Sequence, residues 1–164
     1  MTPTILPGIV VRPVTEADLP ALIALEQHPE AQVSRRRFSE QAEGGNVYFI
    51  AVVDDRPLGT AVLDLRDPDM VPELRDMYVY PAARRQGVGQ ALTQHIEAEA
   101  RALGHEEIFL GVDPDNFEAI PLYISLGYEP TGNHRILETH GDEGDNPTGL
   151  HHDAIYRKGL RFAK

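Results

Sequence analysis

The chain contains no cysteine, which removes disulfides, thiolate metal sites, iron–sulfur clusters and a cysteine nucleophile together. A cytoplasmic setting is then the simplest expectation. Hydrophobic runs are short: the longest, Tyr48 to Val53, has strand length, far below the roughly 18 residues that a transmembrane helix needs. Met1 to Pro7 lacks the basic and apolar regions of a signal peptide, so no secreted setting is expected. Positive charge is scarce as well. Lys and Arg number 15 against 26 Asp and Glu, a formal charge of −11, and such a field repels nucleic acid and anionic membranes while drawing in small cations. Internal repeats and low-complexity tracts are absent. What is there, 164 residues with 41% hydrophobic and 25% charged content, suffices to bury one core and predicts a single soluble α/β domain over residues 1–164.

Periodicity and turn chemistry predict the elements in the order β, α, α, β, β, β, α, β, α, β, β. Ile9 to Val11 is extended. Thr15 and Asp18 have capping-box spacing ahead of a first helix over about 16–27. A weaker helix follows over Val33 to Ala42, stopped by Gly44 and Gly45. Tyr48 to Val53 and Leu58 to Leu65 flank Asp54-Asp55-Arg56-Pro57 as a hairpin, and Glu73 to Tyr80 makes a third strand before Pro81. Val88, Leu92, Ile96, Ala100 and Leu103 recur at helical steps up to Gly104. Ile108 to Val112 is fully apolar, as a buried parallel strand after a crossover helix should be. Asn116 can cap a short helix to Leu126, in which Pro121 removes one hydrogen bond. Tyr128 to Leu137 and Ala154 to Phe162 read as strands around an acidic loop, Glu138 to Pro147.

The strongest chemical signal is Arg84-Arg85-Gln86-Gly87-Val88-Gly89, between a strand and a helix start. Glycine there admits close backbone approach, and the unpaired N–H groups of a helix start, with the positive end of its dipole, cradle an anion. An ordinary turn with two solvated arginines fits the same residues. No Lys-Ser or Lys-Thr follows, so the segment is not a P-loop, and Leu92 stands where a dinucleotide fingerprint needs a third Gly or Ala.

These residues, taken with a second segment, resemble the GNAT superfamily of acetyl-CoA-dependent N-acetyltransferases. Arg84 to Gly89 matches its pyrophosphate-loop pattern, Q/R-x-x-G-x-G/A, after a strand ending Met77-Tyr78-Val79-Tyr80-Pro81, and Asn116 to Tyr128 is similar to its second motif. The close resemblance covers about residues 71–130. It implies a mixed, splayed central sheet of about six to seven strands with about four helices, acetyl-CoA as cosubstrate, no metal, and transfer of acetyl to a primary amine of a small molecule or peptide. An acyl-CoA-binding sensor or scaffold on the same fold is the alternative, and a phosphate binder unrelated to CoA is a third reading.

Residue by residue, the resemblance assigns the CoA pyrophosphate to Arg84, Arg85, Gln86, Gly87, Val88, Gly89 and Gln90. It assigns the pantetheine arm and thioester carbonyl to the backbone around Met77, Tyr78 and Val79, with Asn116 and Ala119 opposite. A free strand N–H there would face the oxyanion, while the side chains of Met77 and Val79 also suit a core. Tyr123 matches the tyrosine that protonates the CoA thiolate, which a phenol with a reference pKa of about 10 can do. A primary amine is neutral in only about 0.04% of molecules at pH 7, so a base is needed. Glu73, fourteen positions before Gly87, resembles the family's catalytic glutamate; an ion pair with Arg75 on the same face is the plainer reading, and a water chain to another carboxylate such as Glu26 is the substitute. Ser34, Ser39 and Ser125 lack a nucleophile setting, so direct attack in a ternary complex is preferred. His140, His151 and His152 with Asp142, Glu143 and Asp145 match no standard metal spacing.

Acceptor recognition is expected in about 15–45 and 131–162, through the acidic loop or through Arg35, Arg36 and Arg37. A small amine, an amino acid, an aminoglycoside, a polyamine and a peptide N-terminus all fit. The resemblance also implies a homodimer, with Ala154 to Phe162 as the edge strand to pair.

Overall fold

The computed structural model describes residues 6–140 and 148–160. In chain order the elements are β1 Val10–Pro13, α1 Leu19–Ala24, α2 Val33–Glu43, β2 Asn46–Val53, β3 Arg56–Asp64, β4 Glu73–Val79, α3 Val88–Ala102, β5 Glu107–Val112, α4 Ala119–Ser125, β6 Glu129–His140 and β7 Thr148–Gly159. The strands form one sheet in the order β1-β2-β3-β4-β5-β7-β6. Every neighbouring pair is antiparallel except β4 and β5, which are parallel on either side of the α3 crossover. This is the mixed α/β architecture expected from the element order.

Local chemistry explains where the boundaries move. Thr15 and Asp18 do form a capping box, and Asp18 also takes two hydrogen bonds from the Arg12 guanidinium at 2.7 and 2.9 Å. The helix it opens is shorter than expected: a 3-10 turn over Glu16–Asp18 precedes α1, and His28, ahead of Pro29, is extended out of the helical region. Asp54 and Asp55 both have positive φ, 49° and 63°, which makes the β2–β3 connection a two-residue turn of primed type. Pro57 therefore lies in β3 opposite Val52, not in the turn.

Helix α3 buries Val88, Leu92, Ile96 and Ala100 as its periodicity requires. Leu103 departs from that stripe and is 55% exposed, because the helix ends there: Gly104, at φ 93°, and His105 donate back to Arg101 and Ala100. α4 runs through Pro121 without a break. The proline falls in the first turn, where a missing N–H costs nothing.

The core lies on both faces of the sheet. One cluster joins α3 to Phe49, Leu63, Leu74, Ile108, Leu110 and Tyr128; the other sets Leu19 and Leu22 of α1 against Tyr48, Ile50, Val52 and Val62. The β6–β7 hairpin corrects one expectation. β7 inserts between β5 and β6, with Val112 opposite Ala154, so the segment from Ala154 is interior and β6 is the edge. Its expected end at Phe162 lies outside the described residues.

Candidate active site

Beyond the single register pair Glu73 with Phe109, β4 and β5 have no further partners, so the sheet opens between them toward the end of β4. A bulge sets what faces the opening. Thr60 pairs with Tyr78 but Val62 with Arg75, and Asp76 takes a φ of 53°. The extra residue shifts the alternation, so Leu74, Met77 and Val79 pack on the α3 side while Tyr80 packs on the α1 side. The side chains of Met77 and Val79 are half-buried against the core, and their backbone borders the gap.

The loop that follows is held from several sides. Tyr80 O accepts the Ala83 N–H, Arg84 Nε donates to Val79 O at 2.9 Å, and Leu6 N–H donates to Gln86 O at 2.8 Å. Arg85 at φ 64° and Gly87 at φ 82° are both left-handed, separated by Gln86; left-handed residues so spaced turn successive amides into one concavity. The N–H groups of Val88, Gly89 and Gln90 form the first turn of α3, where no earlier carbonyl of the helix can reach them. Arg84 is turned back toward β4, its guanidinium 5.5 Å from the Tyr78 ring centre, whereas Arg85 is exposed.

Glycines set how closely these parts approach. A Cβ at Gly89 would lie 3.5 Å from both Leu122 Cδ2 and Met77 Cε, so α3, α4 and β4 converge there. Gly59, which the sequence reading did not single out, matters more: a Cβ there would fall 2.7 Å from Tyr78 O and 3.2 Å from Val88 Cγ1. The signal was available, since an isolated glycine within a strand marks close backbone approach.

Tyr123, next to Leu122 on α4, sits edge-on to Tyr128 with ring centres 6.0 Å apart. Burial pushes its phenol up to about 12, so its proton stays on through the physiological range. Asn116 Oδ1 accepts the Ala119 N–H at 3.1 Å, a cap at the mouth of α4. The structure thus brings together Met77, Val79, the loop, the start of α3 and, from α4, Leu122.

Glu73 stands apart. It lies four residues before Met77, roughly 13 Å away at strand rise, at the closed end of the gap. It is 2% exposed, and both of its oxygens accept from Arg135 of β6, at 3.0 and 2.7 Å. Arg135 reaches it across β7 and β5, over Gly111, where a Cβ would meet the guanidinium at 2.9 Å, and it lies 3.6 Å from Asp153 and 3.5 Å from Asp67. The expected Glu73–Arg75 surface pair is not made in this form: Arg75 bonds Asp64 at 2.9 Å and Asp76 at 3.0 Å.

On the α1 and α2 side, Arg35 and Arg36 are exposed but Arg37 turns inward, 3.6 Å from Asp76. Glu26 Oε1 accepts the Ser34 N–H at 2.7 Å. Of the side chains weighed for a metal, His152 stacks on His134 with ring centres 4.7 Å apart; Asp142, Glu143 and Asp145, and the side chains of His140 and His151, lie outside the described residues. A groove of about 690 Å³ lies elsewhere, lined by Gly104, His105, Glu107, Gly127 and Lys158, and none of the expected site residues borders it.

Comparison with known proteins bears on the family and the fold. The family model "Acetyltransferase (GNAT) family" matches residues 12–128. Among curated relatives, human N-acetyltransferase 8 is 28% identical over 95 residues, 56% of this chain and 42% of that protein. Mycothiol acetyltransferase of Geodermatophilus obscurus is 34% identical over 115 residues, 64% of this chain and 37% of that protein. The matched stretches thus amount to about two-fifths of the length of these relatives. Among solved structures, the ribosomal-protein-S18-alanine N-acetyltransferase of Escherichia coli superposes with a TM-score of 0.66 at 23% identity, covering 95% of this chain and 96% of that one. The PaiA N-acetyltransferase of Thermoplasma acidophilum, in complex with coenzyme A, gives 0.63 at 19% identity, covering 92% and 98%.

Proposed function

The chain belongs to the GNAT acetyltransferase family, and from that premise we propose that it transfers acetyl from acetyl-CoA to a primary amine by direct attack in a ternary complex. The observation that carries the reading is the gap between β4 and β5, opening beside the N-terminus of α3, where Leu122 of α4 and Met77 of β4 converge on Gly89. A slot lined by strand backbone suits an extended amide-bearing arm, and the left-handed loop suits the diphosphate at its end.

In this reading the amides of Gly87 to Gln90 hold the pyrophosphate and Arg85 adds charge at the rim. The backbone of Met77 to Val79 faces the arm and donates to the oxyanion, with Asn116 and Ala119 on the far wall. Tyr123 gives its proton to the departing thiolate. An acyl-enzyme route has little support: the Ser39 and Ser125 hydroxyls donate to helix carbonyls, Arg35 O at 2.9 Å and Leu122 O at 2.6 Å. Glu73 lies roughly 13 Å along the strand from Met77, and its oxygens are committed to Arg135. The proton therefore leaves by water toward a carboxylate on the α1 side, with Glu26 the candidate, and Glu73 holds β4 to β6.

Thermal unfolding with acetyl-CoA, CoA, ATP and NAD, followed by thiol release on addition of an amine panel, tests the proposal. Stabilisation by acetyl-CoA with amine-dependent thiol release is expected. Stabilisation without turnover by any amine would favour the sensor reading, and stabilisation by ATP alone would overturn the loop assignment.

A further inference from the structure

The loop before α3 is held by a segment far from it in sequence. Leu6 N–H, ahead of β1, donates to Gln86 O at 2.8 Å. Its approach is built into the fold: Gly8, at φ 82°, turns the chain beside Pro7, and Leu6, Ile9 and Val11 pack on the same core cluster as Val88 and Leu92 of α3. The Gln86 side chain is tied separately, Nε2 donating to Ala82 O at 3.3 Å. What the Leu6 bond fixes is the next peptide. The Gln86–Gly87 peptide is trans, so its N–H points opposite to its carbonyl. Drawing Gln86 O toward Leu6 therefore turns Gly87 N–H to the other side, between the left-handed residues Arg85 and Gly87, and no backbone carbonyl among the described residues accepts from it. A peptide that leads into glycine is also the easiest to rotate, because glycine takes either sign of φ at little cost. Rotated, it would present an oxygen where the loop otherwise presents an amide.

We propose that Leu6 is a positioning residue for the cosubstrate: its backbone N–H locks the Gln86–Gly87 peptide with the amide, and not the carbonyl, facing the CoA diphosphate. The proposal rests on the acetyl-CoA reading of the loop above. An oxygen turned into the cradle repels the anion, whereas Gly87 N–H joins the amides of the first turn of α3 in attracting it. The segment before β1 thus takes part in cosubstrate binding without touching the cosubstrate. Linkage makes the effect reciprocal: a bond that favours CoA binding is itself favoured, by the same factor, when CoA is bound.

The test has two arms, both with free CoA as the probe. Calorimetric titration compares wild type with Leu6→Pro, which lacks the N–H, and with Leu6→Ala, which keeps it and loses only the apolar side chain. Leu6→Pro is expected to raise Kd about three- to tenfold, the span of one neutral hydrogen bond, with Leu6→Ala close to wild type. In the second arm, amide hydrogen exchange of the wild-type protein is followed by NMR. Saturating CoA is expected to slow exchange at Leu6 N–H by about that same factor and to leave Gly8 N–H unchanged. A wild-type Kd in Leu6→Pro would overturn the proposal; equal losses in the two variants would do so too, since packing and not the bond would then be responsible. The exchange arm stands whether or not a variant folds. CoA that shifts the amides of residues 84–90 without slowing Leu6 would overturn the Leu6 role alone, whereas CoA that leaves those amides unshifted would overturn the loop assignment and the Leu6 role with it.

Discussion

Two side chains divide the work that the sequence would give to a single constellation. Tyr123 is the proposed acid, and burial alone pushes its phenol up to about 12. A raised value means the proton stays on through the whole working range, so no alkaline loss of kcat traceable to Tyr123 is expected below about pH 11. Tyr123→Phe should lower kcat by about 10²–10⁴ with little change in KM for acetyl-CoA, the usual loss for one general acid; a pH–rate profile showing an alkaline limb near 9 that vanishes in the variant would contradict this. Glu73 is the opposite case. Its buried, bidentate pairing with Arg135 makes Arg135→Met an uncompensated buried charge, expected to cost about 3–5 kcal/mol, and Glu73→Gln in that background should recover part of the loss. A denaturant titration of the two singles and the double decides it. The tyrosine could be read from its motif. The arginine could not, because 62 residues separate the pair and no local pattern announces a partner on a distant strand.

At the scale of elements, the loop and helix starts depend on a few backbone positions. Gly87→Ala would place a side chain at φ 82°, a conformation that costs an L-residue roughly 1–2 kcal/mol, and the strain falls on the amides proposed to hold the pyrophosphate. The expected outcome is a higher KM for acetyl-CoA, with the Tm lowered by only a few degrees. The capping box has its own signature in acid. Asp18 is held at about 2, against 3.8 when unpaired, chiefly by its hydrogen bonds from Arg12. Asp64 is also at about 2: burial would raise it, but Arg66 and Arg75 override that. Depressed values contribute stability that is present above pH 4 and disappears as the pH falls from there toward 2. A stability profile by urea titration should therefore slope downward in that window, and Asp18→Asn should flatten part of the slope. The stripe of α3, the β2–β3 hairpin and the Gly87 loop were legible because periodicity and turn chemistry are local. The bulge at Asp76, the shortened α1 and the interior place of β7 were not, because they are fixed by pairing with strands remote in sequence.

For the molecule as a whole, the seven-stranded sheet holds one parallel step among antiparallel ones, and the gap on which the proposed function depends lies at that step. The element order read from the sequence held along the chain, since each buried stripe has one way to face the core. Site placement was less legible: Glu73 matched by spacing, yet its surroundings come from β5, β6 and β7. The net charge of −11 adds an expectation at this scale, that KM for a cationic acceptor rises with ionic strength as steering is screened, within a Debye length of about 8–10 Å. The central claim is that the β4–β5 gap and the α3 loop receive acetyl-CoA for transfer to an amine. Its most direct measurement is the Tm of the wild-type protein with and without acetyl-CoA, followed in the same sample by thiol release when amines are added. A rise in Tm with acetyl-CoA together with amine-dependent thiol release is the predicted result; no rise with acetyl-CoA at saturating concentration would contradict the account.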